Sequence, residues 1–298
     1  MDEHALECVR KAGAIAGEAR ELGVSLVAPG RTLASLANEV EAYIMDRGAK
    51  PAFPVNISIN EVAAHFSPNN TDKVVFEPGD VVKVDVGAHV DGYIGDTAAT
   101  VEVGSRNWQG LIEASHRALM MAVEMIGDGT PVRAIGGTVK RSILESGYRP
   151  VSNLHGHEMK RYNLHAGLSI PNIDDDTLAW IRNDMVIAVE PFATNGNGVV
   201  NNGKPGNIYR LIRDRPIKDE KAAKMLEDIR EFFGTLPFCE RWCDAFSNDA
   251  AHNLKLLLRH GVISSYPILK ERNGAVVSQA EHTLLVRNGK CEITTRKQ

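Results

Sequence analysis

The sequence has few cysteines and no pattern typical of a secreted or membrane-spanning protein. Four of its 298 residues are cysteine, which is too sparse for a disulfide-stabilised scaffold. The first segment, MDEHALECVRKAGAIAGEAR, is acidic and then amphipathic, whereas a signal peptide begins with basic residues followed by an apolar block. No run of about 18 apolar residues is present. We therefore expect reduced thiols, no membrane span and a cytoplasmic location.

Local motifs of several enzyme classes are also missing. There is no P-loop, no G-x-S-x-G and no H-E-x-x-H. The segment GNGVVNNGKPGN (196–207) lacks the strand–turn–helix setting of a dinucleotide site, so we interpret it as a flexible connector. The net charge of −4 gives no support to a nucleic-acid or anionic-membrane surface. Arginines 210, 213 and 215 are expected on a solvated face.

The length and composition are those of a globular protein with a sizeable core. Hydrophobic residues make up 43% and charged residues 24% of the chain, which is ordinary. Hydrophobic periodicity predicts helices, separated by strands and loops, over 4–22, 32–48, 108–126 and 131–146. This order predicts an α+β fold, with one domain made of 1–200 and 266–298 and interrupted by a helical insertion, 201–265.

The segment VVKVDVGAHVDGYIGDTAATVEV predicts a β-hairpin with strands of about 81–89 and 92–103 and a turn at Val90-Asp91. In that register Asp85 lies directly opposite Asp96. Directly opposed residues share a face, with Cβ atoms about 4.5–5.5 Å apart, and two carboxylates that close repel each other unless protons or cations intervene. Two divalent ions about 3.5–4 Å apart would neutralise them and make a hydrolytic centre.

Further acidic and imidazole side chains follow along the chain. Glu190 is expected within the strand of MVIAVEP and Glu281 beside the apolar run of HTLLV, where a carboxylate is costly unless it is paired or metal-bound. Taken singly, each glutamate is more typical of a solvent-exposed rim, and a lone histidine such as His65, His157 or His165 is more often structural. Together, they favour an oxygen-rich site with one imidazole, which suits manganese, iron(II) or cobalt.

Five separated segments, in this order, resemble one family. They are AAHFSPN, VKVDVGAHVDGYIGDTA, NLHGH followed by LHAG, AVEPFAT, and QAEHTLLV. The chain resembles the methionine aminopeptidases over essentially its whole length, and the helical segment between Glu190 and Glu281 is similar to the insertion of the type II enzymes. In having no long N-terminal extension, the chain resembles the archaeal form of these enzymes. The resemblance implies a pita-bread α+β fold with an antiparallel sheet flanked by helices.

The resemblance also implies a role for each matching residue. Two divalent ions, cobalt, manganese, iron(II) or zinc, would be held by Asp85, Asp96, His157, Glu190 and Glu281. Outside the metal shell, His65 and His165 match the histidines that handle substrate, and Phe53 and Leu164 match positions lining the methionine pocket. Glu190 would carry a proton as well as bind metal. One departure is GHEMKRY, where many relatives have small or apolar residues after Gly-His, and His155 is expected to be structural or to lie behind the ligands.

The implied activity is metal-dependent hydrolysis. A metal-activated bridging water would remove the N-terminal methionine of peptides and nascent chains that have a small second residue. We expect a monomer, with no membrane or specific nucleic-acid partner, while contact with the ribosome is left open. Two alternatives stay open on the residues: a related peptidase that cleaves X-Pro bonds, and a non-catalytic protein of the same fold that binds RNA or protein.

Overall fold

The computed structural model describes residues 1–296, which form helices and antiparallel sheets. Its α-helices are α1 (Glu3–Leu26), α2 (Leu33–Asp46), α3 (Gln109–Met125), α4 (Val132–Glu145), α5 (Glu220–Phe232), α6 (Glu240–Cys243) and α7 (Ala250–Arg259). Its strands are β1 (Lys50–Pro51), β2 (Asn56–Ile59), β3 (Val62–Ala64), β4 (Val81–Val90), β5 (Tyr93–Glu102), β6 (Arg149–Pro150), β7 (His155–Met159), β8 (Ser169–Pro171), β9 (Val186–Val189), β10 (Phe192–Thr194), β11 (Val200–Leu211), β12 (Phe238–Cys239), β13 (Ile263–Glu271), β14 (Val277–Gln279), β15 (His282–Arg287) and β16 (Lys290–Ile293). The α+β expectation is confirmed.

Two layers of helices cover two sheets. Helices α1 and α2 pack on the sheet that contains β1, β2, β4 and β5, and a buried core of aliphatic side chains fills the interface. Helices α3 and α4 pack in the same way against the sheet ordered β16-β15-β9-β7-β8. The predicted helices all exist, although α1 continues through Gly23 to Leu26, because burial on the sheet outweighs the weak helix propensity of a glycine.

The β4–β5 hairpin has a different register from the predicted one. Asp85 pairs with Ala98 and Asp96 pairs with Gly87, so the two aspartates are diagonal neighbours rather than directly opposed. The turn is Asp91-Gly92, with φ of 50° and 82°, and this pair of left-handed residues is what a two-residue type I′ turn requires. The predicted Val90-Asp91 turn is therefore wrong. The shift spans two pair positions, so both aspartates still share one face.

Glu190 and Glu281 both lie at breaks between strands. The prediction that Glu190 lies within a strand is therefore wrong. Glu190 and Pro191 separate β9 from β10, and Ala280 and Glu281 separate β14 from β15. Strands β9 and β15 pair in one sheet, whereas β10 and β14 pair in another. Pro191 has no N–H to donate to a ladder, and β9 ends at the residue before Glu190. The break at Ala280 and Glu281 lies opposite this one, so both segments change sheets at the same place.

The segment predicted as a flexible connector is mostly a strand. Residues 200–211 form β11, which pairs with β13 through two register irregularities. The prediction of a flexible connector is wrong because pairing with β13, a strand distant in the sequence, compensates for the low strand propensity of Asn, Gly and Pro. Such long-range pairing leaves no signal in the local sequence. Between these strands, helices α5–α7 enclose their own core, built around Met225, Leu226, Phe238 and Leu254.

No helix within residues 1–296 is long and apolar enough to cross a membrane.

Candidate metal centre

One buried cavity brings together all the predicted ligand residues. Its walls include Asp85, Asp96, His157, Glu190 and Glu281. Ligand atoms of Asp96, His157 and Glu281 all lie within 4.8 Å of one another. The His157 Nε2 atom is also 3.7 Å from Glu190 Oε1 and 3.6 Å from Asp96 Oδ2. Residues far apart in the chain thus converge on one volume.

Hydrogen bonds across the sheets hold the hairpin against the interrupted strands. The hydroxyl of Thr283 on β15 donates to the Asp96 carbonyl at 2.7 Å and accepts from the Asp96 N–H at 2.7 Å. Thr97 Oγ1 donates to the Glu281 carbonyl at 2.7 Å, and the Glu281 N–H donates to the Ala98 carbonyl at 2.9 Å. The positions of Asp96 and Glu281 are therefore coupled through buried backbone contacts.

His157 is positioned by a close approach of β7 to β9. It pairs with Ala188 on one side and with Ser169 on the other. A Cβ atom on the preceding residue, Gly156, would lie 2.2 Å from the Ala188 carbonyl oxygen, so any side chain there would push the strands apart. The glycine in NLHGH is thus needed to place the imidazole beside the carboxylates.

Burial and mutual repulsion disfavour negative charge on the carboxylates. Burial raises the pKa of Asp85 to about 7. Burial, and then the charge of Asp85, raises the pKa of Asp96. Burial and the charge of Asp96 likewise raise the pKa values of Glu190 and Glu281. The cavity is thus built from acids whose burial and mutual repulsion outweigh the nearby positive charge of Arg20 at Glu281.

These residues fit a divalent metal. The buried Oδ1 atoms of Asp85 and Asp96 have no hydrogen-bond partner, although a buried carboxylate oxygen without one is costly. No lysine or arginine is among the residues lining this cavity within the described part of the chain. Four carboxylates with one imidazole form a donor set for hard or borderline divalent ions.

The predicted substrate-handling residues line the same cavity. They are Phe53, His65, Leu164 and His165. His65 has φ of 65° and its Nδ1 donates to the Pro267 carbonyl at 3.2 Å, while the His165 ring lies 4.4 Å from the His157 ring. Burial lowers the pKa of His65, and burial together with the charges of His65 and Arg210 lowers that of His165 to about 4. Both imidazoles are therefore neutral at pH 7.

Sequence reasoning missed further walls of the cavity. Asn56, Ala64, Ile208, Pro237 and Tyr266 also line it. Ile208 and Tyr266 come from β11 and β13, and Pro237 precedes β12. They reach the cavity because β11 pairs with β12 and β13, and the sequence predicts no strand over most of β11. Asn56 lies three residues after Phe53 on a segment recognised as strand and loop, but nothing in its local pattern marks it as a site residue.

The charged and large residues that follow Gly-His in GHEMKRY leave His157, the predicted ligand, in the cavity wall. Glu158 alternates to the opposite face of β7 from His157 and lies 3.3 Å from Lys160 Nζ in an ion pair. Met159 is buried in the apolar core beside Phe53. His155, expected to be structural or to lie behind the ligands, is exposed at the start of β7, and it is not among the residues lining the cavity. That expectation for His155 was therefore wrong.

The fold and the site define a class of protein. The model of metallopeptidase family M24 matches residues 7–229, which is well over half of the chain. The chain therefore belongs to metallopeptidase family M24. It is 44% identical over 297 residues to the methionine aminopeptidase of Methanocaldococcus jannaschii, covering 99% of this chain and 100% of that one. It is 43% identical to the methionine aminopeptidase of Thermococcus onnurineus, with the same coverage.

Solved structures show the same fold at low identity. The methionine aminopeptidase of Rickettsia prowazekii superposes with a TM-score of 0.73 at 23% identity, covering 99% of this chain and 98% of that one. A thermophilic Arx1 superposes with a TM-score of 0.86 at 16% identity, covering 99% and 91%. The prolidase of Pyrococcus furiosus gives 0.63 at 19%, covering 100% and 65%. The expected pita-bread fold is confirmed, but because differently named proteins share it, function must be argued from the site.

Proposed function

We propose that this protein is a metal-dependent methionine aminopeptidase, which removes the N-terminal methionine from peptides and nascent chains that have a small second residue. The observation that carries the proposal is the shared cavity, in which a carboxylate–imidazole site lies beside the apolar side chains of Phe53 and Leu164. Full-length relatives at 39–44% identity carry the same name, which supports the substrate assignment.

The proposed centre holds two divalent ions, with Asp85, Asp96, His157, Glu190 and Glu281 as ligands. The family resemblance implies that Asp96 and Glu281 would be the ligands shared by both ions, and their side chains lie close to each other and to His157 in the cavity. When bound, such a pair of ions lowers the pKa of a water between them and polarises the substrate carbonyl. Manganese, iron(II), cobalt and zinc all accept these donors, so the identity of the metal is left to experiment.

The histidines outside the ligand set are proposed to act on the scissile peptide. The Pro267 carbonyl can only accept, so the neutral His65 ring carries its proton on Nδ1 and has Nε2 as its acceptor. We propose that Nε2 accepts from the scissile N–H and positions the amide. His165 would donate to the oxygen that gains negative charge, a role for which preorganised donors contribute several kcal/mol.

Glu190 is proposed to transfer a proton from the attacking water to the leaving amine. Its carboxylate lies between His157, at 3.7 Å, and the Gln279 amide, at 3.4 Å. A carboxylate held in this way at the edge of the cavity can accept a proton on one side and release it on the other. Gln279 also contacts Glu281 at 3.4 Å, so one amide orients both glutamates.

The side-chain pocket supports methionine as the first residue. Phe53 and Leu164 belong to a buried apolar cluster that includes Met159 and Leu236, and an unbranched thioether adapts well to such surfaces. The free amino group and the small second residue are expected to remain near the polar half of the cavity. We further propose that residues 201–265 form the insertion of the type II enzymes and close this side of the cavity, with residues 1–200 and 266–298 as the catalytic domain.

The cellular setting of the activity remains a prediction from the family resemblance. We propose that the protein works as a monomer in the cytoplasm on the N-termini of nascent chains.

The test is the release of methionine from a Met-Ala-Ser peptide by metal-free protein, with and without added Mn(II) or Co(II), beside an Ala-Pro peptide. We expect metal-dependent cleavage of the methionine peptide alone. Cleavage of Ala-Pro alone would instead indicate an X-Pro peptidase. Binding of two ions without cleavage of either peptide would indicate a protein that uses the fold for binding.

A further inference from the structure

An unpartnered amide oxygen lies in the wall of the catalytic cavity. Asn56, the first residue of β2, lines the cavity and is 4% exposed. Its Nδ2 donates to the Pro54 carbonyl at 2.9 Å. Its Oδ1 is buried and has no hydrogen-bond partner. A buried carbonyl oxygen in this condition needs a donor, because its desolvation is otherwise uncompensated.

The orientation of this amide follows from its neighbour. If the side chain were reversed, its oxygen would face the Pro54 carbonyl oxygen, and two acceptors cannot bond to each other. The bond from Nδ2 to Pro54 therefore holds the amide in one orientation. The acceptor Oδ1 is the atom left available.

The strand pairing places this acceptor beside the polar end of the site. Asn56 is directly opposed to Asp85 across β2 and β4, and opposed residues share one face of a sheet. The Oδ1 atom of Asp85 is also buried and unpartnered. Phe53, a wall of the apolar pocket, lies three residues earlier on the same segment. A residue whose side chain contacts Phe53 would thus have its backbone amino group near Asn56 and Asp85.

We propose that Asn56 Oδ1 accepts a hydrogen bond from the free α-amino group of the substrate and so helps to select unblocked N-termini. The inference rests on the proposed aminopeptidase function and adds a residue that binds substrate to it. An α-ammonium has three N–H donors and no acceptor, and a neutral α-amine still has two N–H donors that can point at Oδ1. Hydrogen bonds to charged groups contribute roughly 10- to 100-fold in affinity.

The experiment measures how much the amino group contributes to binding with and without Asn56. The inhibition constants of methioninamide and of its desamino analogue, 4-(methylsulfanyl)butanamide, are compared on the metal-loaded enzyme. In Asn56→Ala, we expect the advantage of methioninamide over the analogue to fall about 10-fold, while inhibition by the analogue changes little. If Asn56→Ala does not fold, Asn56→Ser, which draws the oxygen back from the cavity, is expected to show the same fall.

Ser58→Ala is the matched control. Ser58 lies on the same face of β2, is 1% exposed and also has an unpartnered hydroxyl, but it is not among the residues that line the cavity. We expect this variant to keep the wild-type ratio of inhibition constants. An equal fall in Ser58→Ala would show that loosening of β2, and not the amide oxygen, causes the change, and would overturn the proposal.

Three further outcomes would overturn the proposal and differ from one another. An unchanged ratio in Asn56→Ala, in an enzyme that still cleaves Met-Ala-Ser, would remove Asn56 from amine binding and leave the function intact. Loss of bound metal in Asn56→Ala would make the amide a metal ligand instead. If the wild-type protein itself does not cleave Met-Ala-Ser with any added metal, the aminopeptidase function fails first, and the inference fails with it.

Discussion

His65 has a backbone conformation that few residues adopt without a reason. Its φ of 65° lies in the left-handed region, which costs of order 1 kcal/mol or more for a side chain of this size. The imidazole is held by the Pro267 carbonyl at 3.2 Å and by the Tyr266 ring, whose centroid is 5.2 Å away at a near-perpendicular angle. The protein thus maintains an unfavourable backbone in order to present this ring to the cavity.

His65→Ala should lower kcat by about 100-fold and leave the bound metal unchanged. The ring lines the cavity without belonging to the ligand set, and a misplaced scissile amide alone costs roughly this much. Turnover and metal content per chain are the measurements. The contrasting variant is Asp96→Asn, which removes the charge of a proposed ligand and should lose both metal and more than about 100-fold in turnover. Loss of metal in His65→Ala would contradict the role proposed for His65.

At the scale of elements, a buried ion pair joins helix α6 to helix α2. Arg241 donates to both carboxylate oxygens of Glu41 on α2, at 2.7 and 2.8 Å, and the side chains are 2% and 5% exposed. The same guanidinium donates to the Pro68 carbonyl at 2.8 Å, three residues after His65. Glu41 also accepts from the Val55 N–H at 3.1 Å. The pair therefore joins three segments next to the cavity.

Arg241→Met should destabilise the protein by about 3–5 kcal/mol, because it leaves a buried carboxylate without its cation. Urea unfolding of the metal-free protein measures the change. Adding Glu41→Gln to this variant should recover part of the loss, since the double variant no longer buries an uncompensated charge. Arg230→Met, which removes a surface pair with Asp214, should cost less than about 1 kcal/mol. Equal losses for the two arginines would contradict the special role of the buried pair.

At the scale of the whole molecule, the candidate metal centre joins segments that lie far apart in the chain. Its proposed ligands come from the β4–β5 hairpin, from β7 and from the two strand interruptions at Glu190 and Glu281. These segments meet only in the folded chain, so a metal bound there stabilises the folded state by its binding free energy.

Mn(II) added to metal-free protein should raise the thermal midpoint. At one fixed concentration, about 100 times the dissociation constant at pH 8, we expect a rise of roughly 5 °C or more at pH 8 and a smaller rise at pH 6. Burial raises the pKa of Asp85 to about 7, so a proton competes with the metal at pH 6 but not at pH 8. Because this folded-state pKa lies above the unfolded value of 3.8, Asp85 contributes stability at low pH that the metal-free protein loses as the pH rises through about 7. Bound metal removes this loss, so the difference in thermal midpoint between metal-bound and metal-free protein is larger at pH 8.

Scanning calorimetry at the two pH values measures this difference. His157 does not reduce the expected pH dependence of metal binding. Burial, and then the charge of His165, lowers the pKa of His157 to about 3, so this imidazole is neutral at both pH values. Asp96→Asn is the control and should show little rise at either pH. A rise at pH 8 that equals or falls short of the rise at pH 6 would show that the cavity carboxylates do not bind the metal.

Much of the fold and site was predictable because the signals are local. Apolar periodicity located α1–α4 to within a few residues, since an amphipathic stripe depends only on neighbours along the chain. The hairpin prediction is correct but its register is wrong by two pair positions, because the turn is Asp91-Gly92 and not Val90-Asp91. The Asp-Gly pair was the available signal, since both turn residues need φ above zero.

The candidate site residues could be read from the sequence alone: four carboxylates and the histidines, each in a recognisable motif, together with the helices that cover the sheets. How distant segments come to share a surface depends on tertiary pairing. Strand β11 pairs with β13 and brings Ile208 and Tyr266 to the cavity, the chain changes sheets at both glutamates, and Asn56 lies opposite Asp85 with a free oxygen. Contacts of this kind depend on pairing and burial across the whole chain, and no local pattern encodes them.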